Sequence, residues 1–141
     1  MYDELELKAV ALEYTRCINA GDLDGLLALF AENVRFEDPV GSRPIHGKAA
    51  VRERLADAVR GRVHETPGQI VAAHDGRHIA IPVTILIDDP EDPGGRRMKI
   101  NIVSVCRFDR ARRIDDVRAF WGRTDVSFVE TSTPEPVEET S

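Results

Sequence analysis

The sequence predicts an α+β domain in which three helices come first and a mostly antiparallel sheet follows, curling around an apolar interior. Three observations carry this prediction. Apolar residues recur every three to four positions through much of the first sixty residues, the period of one helix face. Beyond that point the pattern changes to segments rich in Val, Ile and Phe, separated by turn residues. The length of 141 residues supports one buried core and not two.

The elements follow in order. Residues 4–20 place Leu7, Val10, Ala11, Tyr14 and Cys17/Ile18 on one face, which predicts the first helix. Gly21 suits the position that ends it, and Asp22 suits the N-cap of the next. A second helix is predicted over about 22–32, with Leu26, Leu27, Leu29 and Phe30 inward. A short strand, VRFED, is predicted at 34–38 and runs into the loop PVGSRPIHG. A third helix is predicted at 47–59, burying Ala50, Val51, Leu55 and Val59. Strands are predicted near 62–73, 78–88, 97–109 and 112–122, with Asp75-Gly76 as a tight turn between the first two. Pro82 interrupts the second of these, so a bulge or a local edge is expected there. The loop DDPEDPGG reads as a solvated hairpin connection, because its carboxylates lack the register of a calcium loop.

Composition excludes several functions. No apolar run approaches the length of a membrane span. The start, MYDELELK, lacks the basic-then-apolar order of a signal peptide, so a cytoplasmic protein is expected. Net charge is −6, with no basic patch interleaved with aromatics, which argues against a nucleic-acid partner. Much of that charge comes from Glu130, Glu135, Glu138 and Glu139. The domain is therefore expected to span 1–127, with an acidic, disordered tail over 128–141. Cys17 and Cys106 sit within apolar patterns without zinc-type spacing and read as buried free thiols. His74 and His78 flank the Asp75-Gly76 turn and share no helix face, so no metal site is expected.

Three residues are candidates for chemistry. Asp38 precedes a proline at a strand end, which restrains its backbone, and its apolar neighbours favour a desolvated carboxylate. On local sequence alone an Asp-Pro turn without chemistry is the more common case. Tyr14 lies on the buried stripe of the first helix, where a phenol needs a partner for its hydroxyl. Trp121 shares a strand face with Val117 and Ala119, either walling a pocket or filling the core.

The stretch NAGDLDGLLALFAENVRFEDPVGSRPIHGKAAVRE, together with Tyr14 and the later CRFDRARRIDDVRAFWG, resembles the bacterial ketosteroid isomerases. The order of elements resembles the wider nuclear-transport-factor-2-like, or SnoaL-like, superfamily. The resemblance covers residues 9–125 and is strongest between Tyr14 and Glu53. It implies a cone-shaped fold, a homodimer packed through the sheet, and isomerisation of a Δ5-3-ketosteroid with neither metal nor organic cofactor. By resemblance, Asp38 is the general base, Tyr14 the main oxyanion donor and Trp121 a pocket residue close to the base. Ser104 stands where the family has a protonated aspartate donor, a mechanism known for ketosteroid isomerase itself. Its hydroxyl still donates one hydrogen bond. Phe30 and Leu55 replace tyrosines that support the donor in some relatives.

On this reading a flat ketone enters a pocket lined by Val40, Leu55, Ile102, Ala119 and Trp121, with Tyr14, Asp38 and Ser104 as the polar residues facing it. Two alternatives are another enzyme on the same fold, such as a polyketide cyclase or an epoxide hydrolase, and a non-catalytic dimer that binds an apolar ligand. Epoxide hydrolases of the superfamily pair carboxylates through an arginine inside the pocket. The expected apolar lining therefore favours isomerisation.

Overall fold

In the computed structural model, which describes residues 4–130, the chain opens with helix α1 (Glu4–Ala20), burying Leu7, Ala11, Cys17 and Ile18. Gly21 adopts a φ of 71° and ends it. Its N–H donates to the Ile18 carbonyl at 3.2 Å and the Asp22 N–H to the Cys17 carbonyl at 2.9 Å, which closes a Schellman turn. Asp22 then caps α2 (Leu23–Leu27), accepting a hydrogen bond from the Gly25 N–H at 2.9 Å.

The second helix is shorter than predicted. Strand β1 (Phe30–Glu37) begins at Phe30, inside the segment expected to be helical. The run LLALF suits a helix and a buried strand alike. Pairing decides between them: Phe30 lies opposite Ile114 in a parallel ladder, and the Ile114 N–H donates to the Leu29 carbonyl at 2.8 Å. β2 (Ile45–His46) adds to β1, and α3 (Lys48–Arg60) follows, burying Val51 and Leu55. Two strands thus separate the second helix from the third, so the helices do not form an uninterrupted N-terminal block.

The remaining strands are β3 (His64–Pro67), β4 (Val71–Ala72), β5 (His78–Asp88), β6 (Arg97–Phe108), β7 (Ile114–Phe120) and β8 (Val126–Val129). The predicted strand at 62–73 is two short ones. The last strand was not foreseen. Phe128 and Val129 pair with Met98 and Arg97, so the segment expected as tail from 128 starts inside a strand, and residues 131–141 lie outside the described residues.

Among the described residues all eight strands form one sheet in the order β2-β1-β7-β6-β5-β3, with β4 also on β5 and β8 also on β6. The result is an α+β fold with a curved, unclosed sheet that is antiparallel except for β1 against β7. The long β5–β6 ribbon is its spine, and each strand of it changes neighbour along its length. Pro82 sits where β5 changes from β3 to β4. Its carbonyl accepts from the Gly68 N–H at 2.7 Å, and its missing donor faces the gap between those strands. The expected local edge is there.

Strand alternation sorts the sheet into two faces. Ile79, Ile81, Val83, Ile100, Ile102, Cys106, Val117 and Ala119 point inward and are buried, whereas Val103, Phe120 and Phe128 remain exposed. Leu7, Leu26, Phe30 and Phe108 close the interior, each contributing about 1.5–3 kcal/mol through burial. Both cysteines are buried free thiols. The acidic connection between β5 and β6 is not wholly solvated. Asp89 is 4% exposed and accepts hydrogen bonds from Arg96 Nε at 2.8 Å and the Glu91 N–H at 3.0 Å.

Candidate active site

Where β1 ends, Asp38 projects into the space between sheet and helices. The loop after it is tied down on three sides. Gly41 N–H donates to Glu37 Oε2 at 2.8 Å, Ser42 Oγ donates to the Pro39 carbonyl at 2.7 Å, and Val40 N–H donates to the Ala119 carbonyl at 2.8 Å. Asp38 Oδ1 accepts a hydrogen bond from Trp121 Nε1 at 2.7 Å. Arg54, on α3, donates from Nη2 to the Asp38 backbone carbonyl at 3.2 Å and stands 3.6 Å from Asp38 Oδ2. A carboxylate held by an indole donor and faced by a guanidinium is equipped to accept a proton while its geometry stays fixed.

Asp38 opens onto a cleft of two connected compartments. The inner one is narrow and walled mainly by Phe36, Ile79, Ile81, Val83, Val117 and Ala119. The outer one is bordered by Leu55, Ile87, Ile100, Arg54 and Trp121. Tyr14, Asp38 and Glu65 line both. The polar groups therefore sit at the junction, within apolar walls on either side, the composition expected of a small-molecule site.

Glu65 was not anticipated. It lies on β3 opposite Ile85, and its carboxyl group has no hydrogen-bond partner among the described residues. Burial, reinforced by the negative charge of Asp38, pushes its pKa from the ordinary 4.5 up to about 7. Near neutrality it is available as a proton donor. A signal for it existed in the sequence: alternation puts Glu65 on the same strand face as buried Val63. Arg54 flanks the apolar stripe of α3 and gave no comparable signal.

Tyr14 carries its phenol into the cleft from α1. Its ring meets Phe30 edge-on, with centroids 5.9 Å apart and planes at 89°, so an aromatic contact holds the ring on the side of Phe30. Its hydroxyl has no partner among the described residues. Burial, then the charges of Glu65, Cys106 and Asp38, raise its pKa well above the ordinary 10, against the opposing effect of Arg54. It therefore remains a hydrogen-bond donor. Ser104 lines the inner compartment with Tyr14, and its hydroxyl is likewise unpaired among the described residues. Cys106 borders the same compartment, and burial pushes its thiol up to about 12, which keeps it neutral.

Of the residues expected to line the pocket, Leu55, Ile102, Ala119 and Trp121 do so. Val40 does not. It is 38% exposed, and its contribution to the site is the backbone hydrogen bond to Ala119. The expectation that only Tyr14, Asp38 and Ser104 bring polarity to the cavity is also corrected, since Glu65 and Arg54 join them. Among the described residues no group of three His, Cys, Asp or Glu side chains is arranged to hold a metal ion, and no helix is long and apolar enough to cross a membrane.

The curved sheet and its apolar cleft, with two carboxyl groups and a phenol at the waist, belong to a chain that is a member of the SnoaL-like domain family, matched over residues 11–117. It is similar to the epoxide hydrolase LasB of Streptomyces lasalocidi, with 44% identity over 132 residues. That alignment takes in 94% of this chain but 46% of LasB, so the chain spans about half the length of that relative. A steroid Delta-isomerase of Nocardioides simplex is 30% identical over 121 residues, covering 86% of this chain and 94% of the isomerase. Among solved structures, the epoxide hydrolase/cyclase-like enzyme SalBIII, described as having a role in pyran ring formation in the polyether salinomycin, matches with a TM-score of 0.86. It is 38% identical and covers 90% of this chain and 98% of its own.

Proposed function

We propose that this protein opens an epoxide on a largely apolar, polyketide-like chain, either with a hydroxyl of the same molecule to form a cyclic ether or with water. The observation that carries the reading is the pair Asp38 and Glu65 at the waist of one apolar cleft, the first held as an acceptor and the second with its pKa raised to about 7, so that a large share keeps its proton at neutral pH. The similarity to LasB and SalBIII supports it.

In this mechanism Asp38 removes the proton from the attacking hydroxyl or water. That oxygen's electron pair forms a new C–O bond at an epoxide carbon. The epoxide C–O bond breaks, its electron pair goes to the departing oxygen, and Glu65 protonates that oxygen. Asp38 leaves the step protonated and Glu65 ionised, and exchange with solvent restores both. A positioned acid or base contributes on the order of 10²–10⁴ in rate. Tyr14 and Ser104 donate to substrate oxygens, and Leu55, Ile102, Ala119 and Trp121 hold the carbon chain.

A second reading is favoured by the unpaired Tyr14 and Ser104 hydroxyls and by the similarity to the steroid Delta-isomerase. Here Asp38 carries a proton between two carbons of a Δ5-3-ketosteroid while Tyr14 and Ser104 hold the enolate oxygen. On either reading the apolar outer face bearing Val103, Phe120 and Phe128 packs against a second copy of the chain.

One experiment separates the two reactions. The protein is incubated in ¹⁸O-water with a linear 4,5-epoxy alcohol and, separately, with 5-androstene-3,17-dione. A cyclic ether without label indicates intramolecular opening, and a triol carrying one ¹⁸O indicates hydrolysis. Enone absorbance from the steroid, with both epoxide products missing, would overturn the epoxide reading. Either activity is expected to fall by about 10²–10⁴ in Asp38→Asn, whereas loss in Glu65→Gln is expected for epoxide opening.

A further inference from the structure

Asn19 has no place in the chemistry above, yet its side chain makes two hydrogen bonds to the backbone of Glu65. Nδ2 donates to the Glu65 carbonyl at 2.9 Å, and Oδ1 accepts from the Glu65 N–H at 2.7 Å. A donor and an acceptor offered side by side to one residue is the pattern a neighbouring strand presents in an antiparallel ladder. Among the described residues no strand occupies that position, because β3 is the end of the sheet.

The geometry follows from strand structure. A strand residue sends its N–H and C=O to the same side. On its other side β3 pairs with β5, with Glu65 opposite Ile85. The polar backbone of Glu65 therefore faces the open edge, where either water or a side chain satisfies its groups. Asn19 supplies both partners from the last turn of α1 (Glu4–Ala20). The Schellman closure at Gly21 and Asp22 holds that turn against fraying. Five residues earlier the same helix carries Tyr14. One amide thus couples the helix that bears the phenol to the four-residue edge strand that bears the buried carboxyl group.

We propose that Asn19 is a positioning residue for Glu65, fixing the backbone of this short edge strand to α1 so that the carboxyl group is held in the cleft beside Tyr14 and Asp38. The proposal rests on the reading of Glu65 as the acid. β3 has only four residues and one paired side, so without the clamp its edge is free to shift. A displacement of about 1 Å at a catalytic group can cost on the order of 10²-fold in rate.

The test compares the wild type with Asn19→Ala and Asn19→Asp. An aspartate in that place still accepts from the Glu65 N–H but no longer donates to its carbonyl. The first readout is the titration of the Glu65 carboxyl by ¹³C NMR, independent of any substrate. In the wild type it is expected at about 7, where burial and the charge of Asp38 hold it. In Asn19→Ala it is expected to move down toward the ordinary 4.5 as the carboxyl group gains water, with faster amide exchange confined to β3 and unchanged near-ultraviolet circular dichroism. The second readout is kinetics on the 4,5-epoxy alcohol. Asn19→Ala is expected to lower kcat ten- to a hundredfold with KM within about twofold, and Asn19→Asp to fall between it and the wild type. A folded Asn19→Ala that keeps the wild-type Glu65 titration and the wild-type β3 exchange overturns the proposal. If the wild type opens no epoxide, the functional reading fails, and the titration and exchange alone decide the clamp.

Discussion

Replacing Glu65 by glutamine tests the electrostatics of the cleft without requiring a known substrate. The carboxyl group has an ordinary pKa of 4.5 and is raised to about 7 in the fold by burial and, secondarily, by Asp38. A raised pKa means that the folded chain binds the proton more tightly than the unfolded chain. The protonated group is therefore accommodated at low pH, and stability is lost as pH rises from about 4.5 through about 7. At about 1.4 kcal/mol per pH unit of displacement the full cost is about 3 kcal/mol, and water entering the cleft mouth reduces the expected figure to about 1–3 kcal/mol. Glutamine has nearly the same shape and no charge. The two proteins would be unfolded in urea at several pH values, and their free energies subtracted so that every other titrating group cancels. Glu65→Gln relative to wild type is expected to gain about 1–3 kcal/mol between pH 4 and pH 8. Any constant offset from the amide itself leaves that slope untouched. A difference that is flat across this range, or that falls, would refute the claim that Glu65 is a buried, neutral acid at the bottom of that window.

Other expectations follow from the same geometry. Trp121→Phe removes the indole donor on Asp38 Oδ1. A hydrogen bond to a charged group contributes about 1.5–3 kcal/mol, so turnover is expected to fall at least tenfold in steady-state kinetics, with KM little changed. Tyr14→Phe keeps the edge-on packing with Phe30 and removes the donor, and is expected to lower kcat by about tenfold or more while urea stability changes by less than about 1.5 kcal/mol. Phe120→Glu places a charge on the exposed apolar face of the sheet. Light scattering is expected to show a dimer for the wild type and a monomer for the variant, and a wild-type monomer would count against the proposed pairing.

How far the sequence could be read differs from element to element, for physical reasons. The α1 stripe, its glycine stop and the Asp22 cap were legible because each depends on neighbours within one or two turns. The limits of β5 agree with the predicted 78–88, and those of β6 and α3 come within a residue of theirs, since long alternating or amphipathic runs leave little freedom. The boundary between α2 and β1 was misread because LLALF carries no local preference, and its parallel pairing with Ile114 lies far along the chain. β8 was missed for a related reason: its four residues become a strand only by adding to β6.

The site divides along the same line. Sequence by itself determined that Asp38 is a restrained carboxylate at a strand end and that Tyr14 faces inward from α1, because proline geometry and helical period are local properties. Tertiary structure decided everything that requires two distant segments to share one space. It brings Trp121 and Arg54 to Asp38, leaves Val40 outside the cleft, and places Glu65 where burial and the charge of Asp38 act on it together. Whether a carboxyl group is neutral depends on the medium and the charges around it, and those come from parts of the chain that its own neighbours in sequence do not specify.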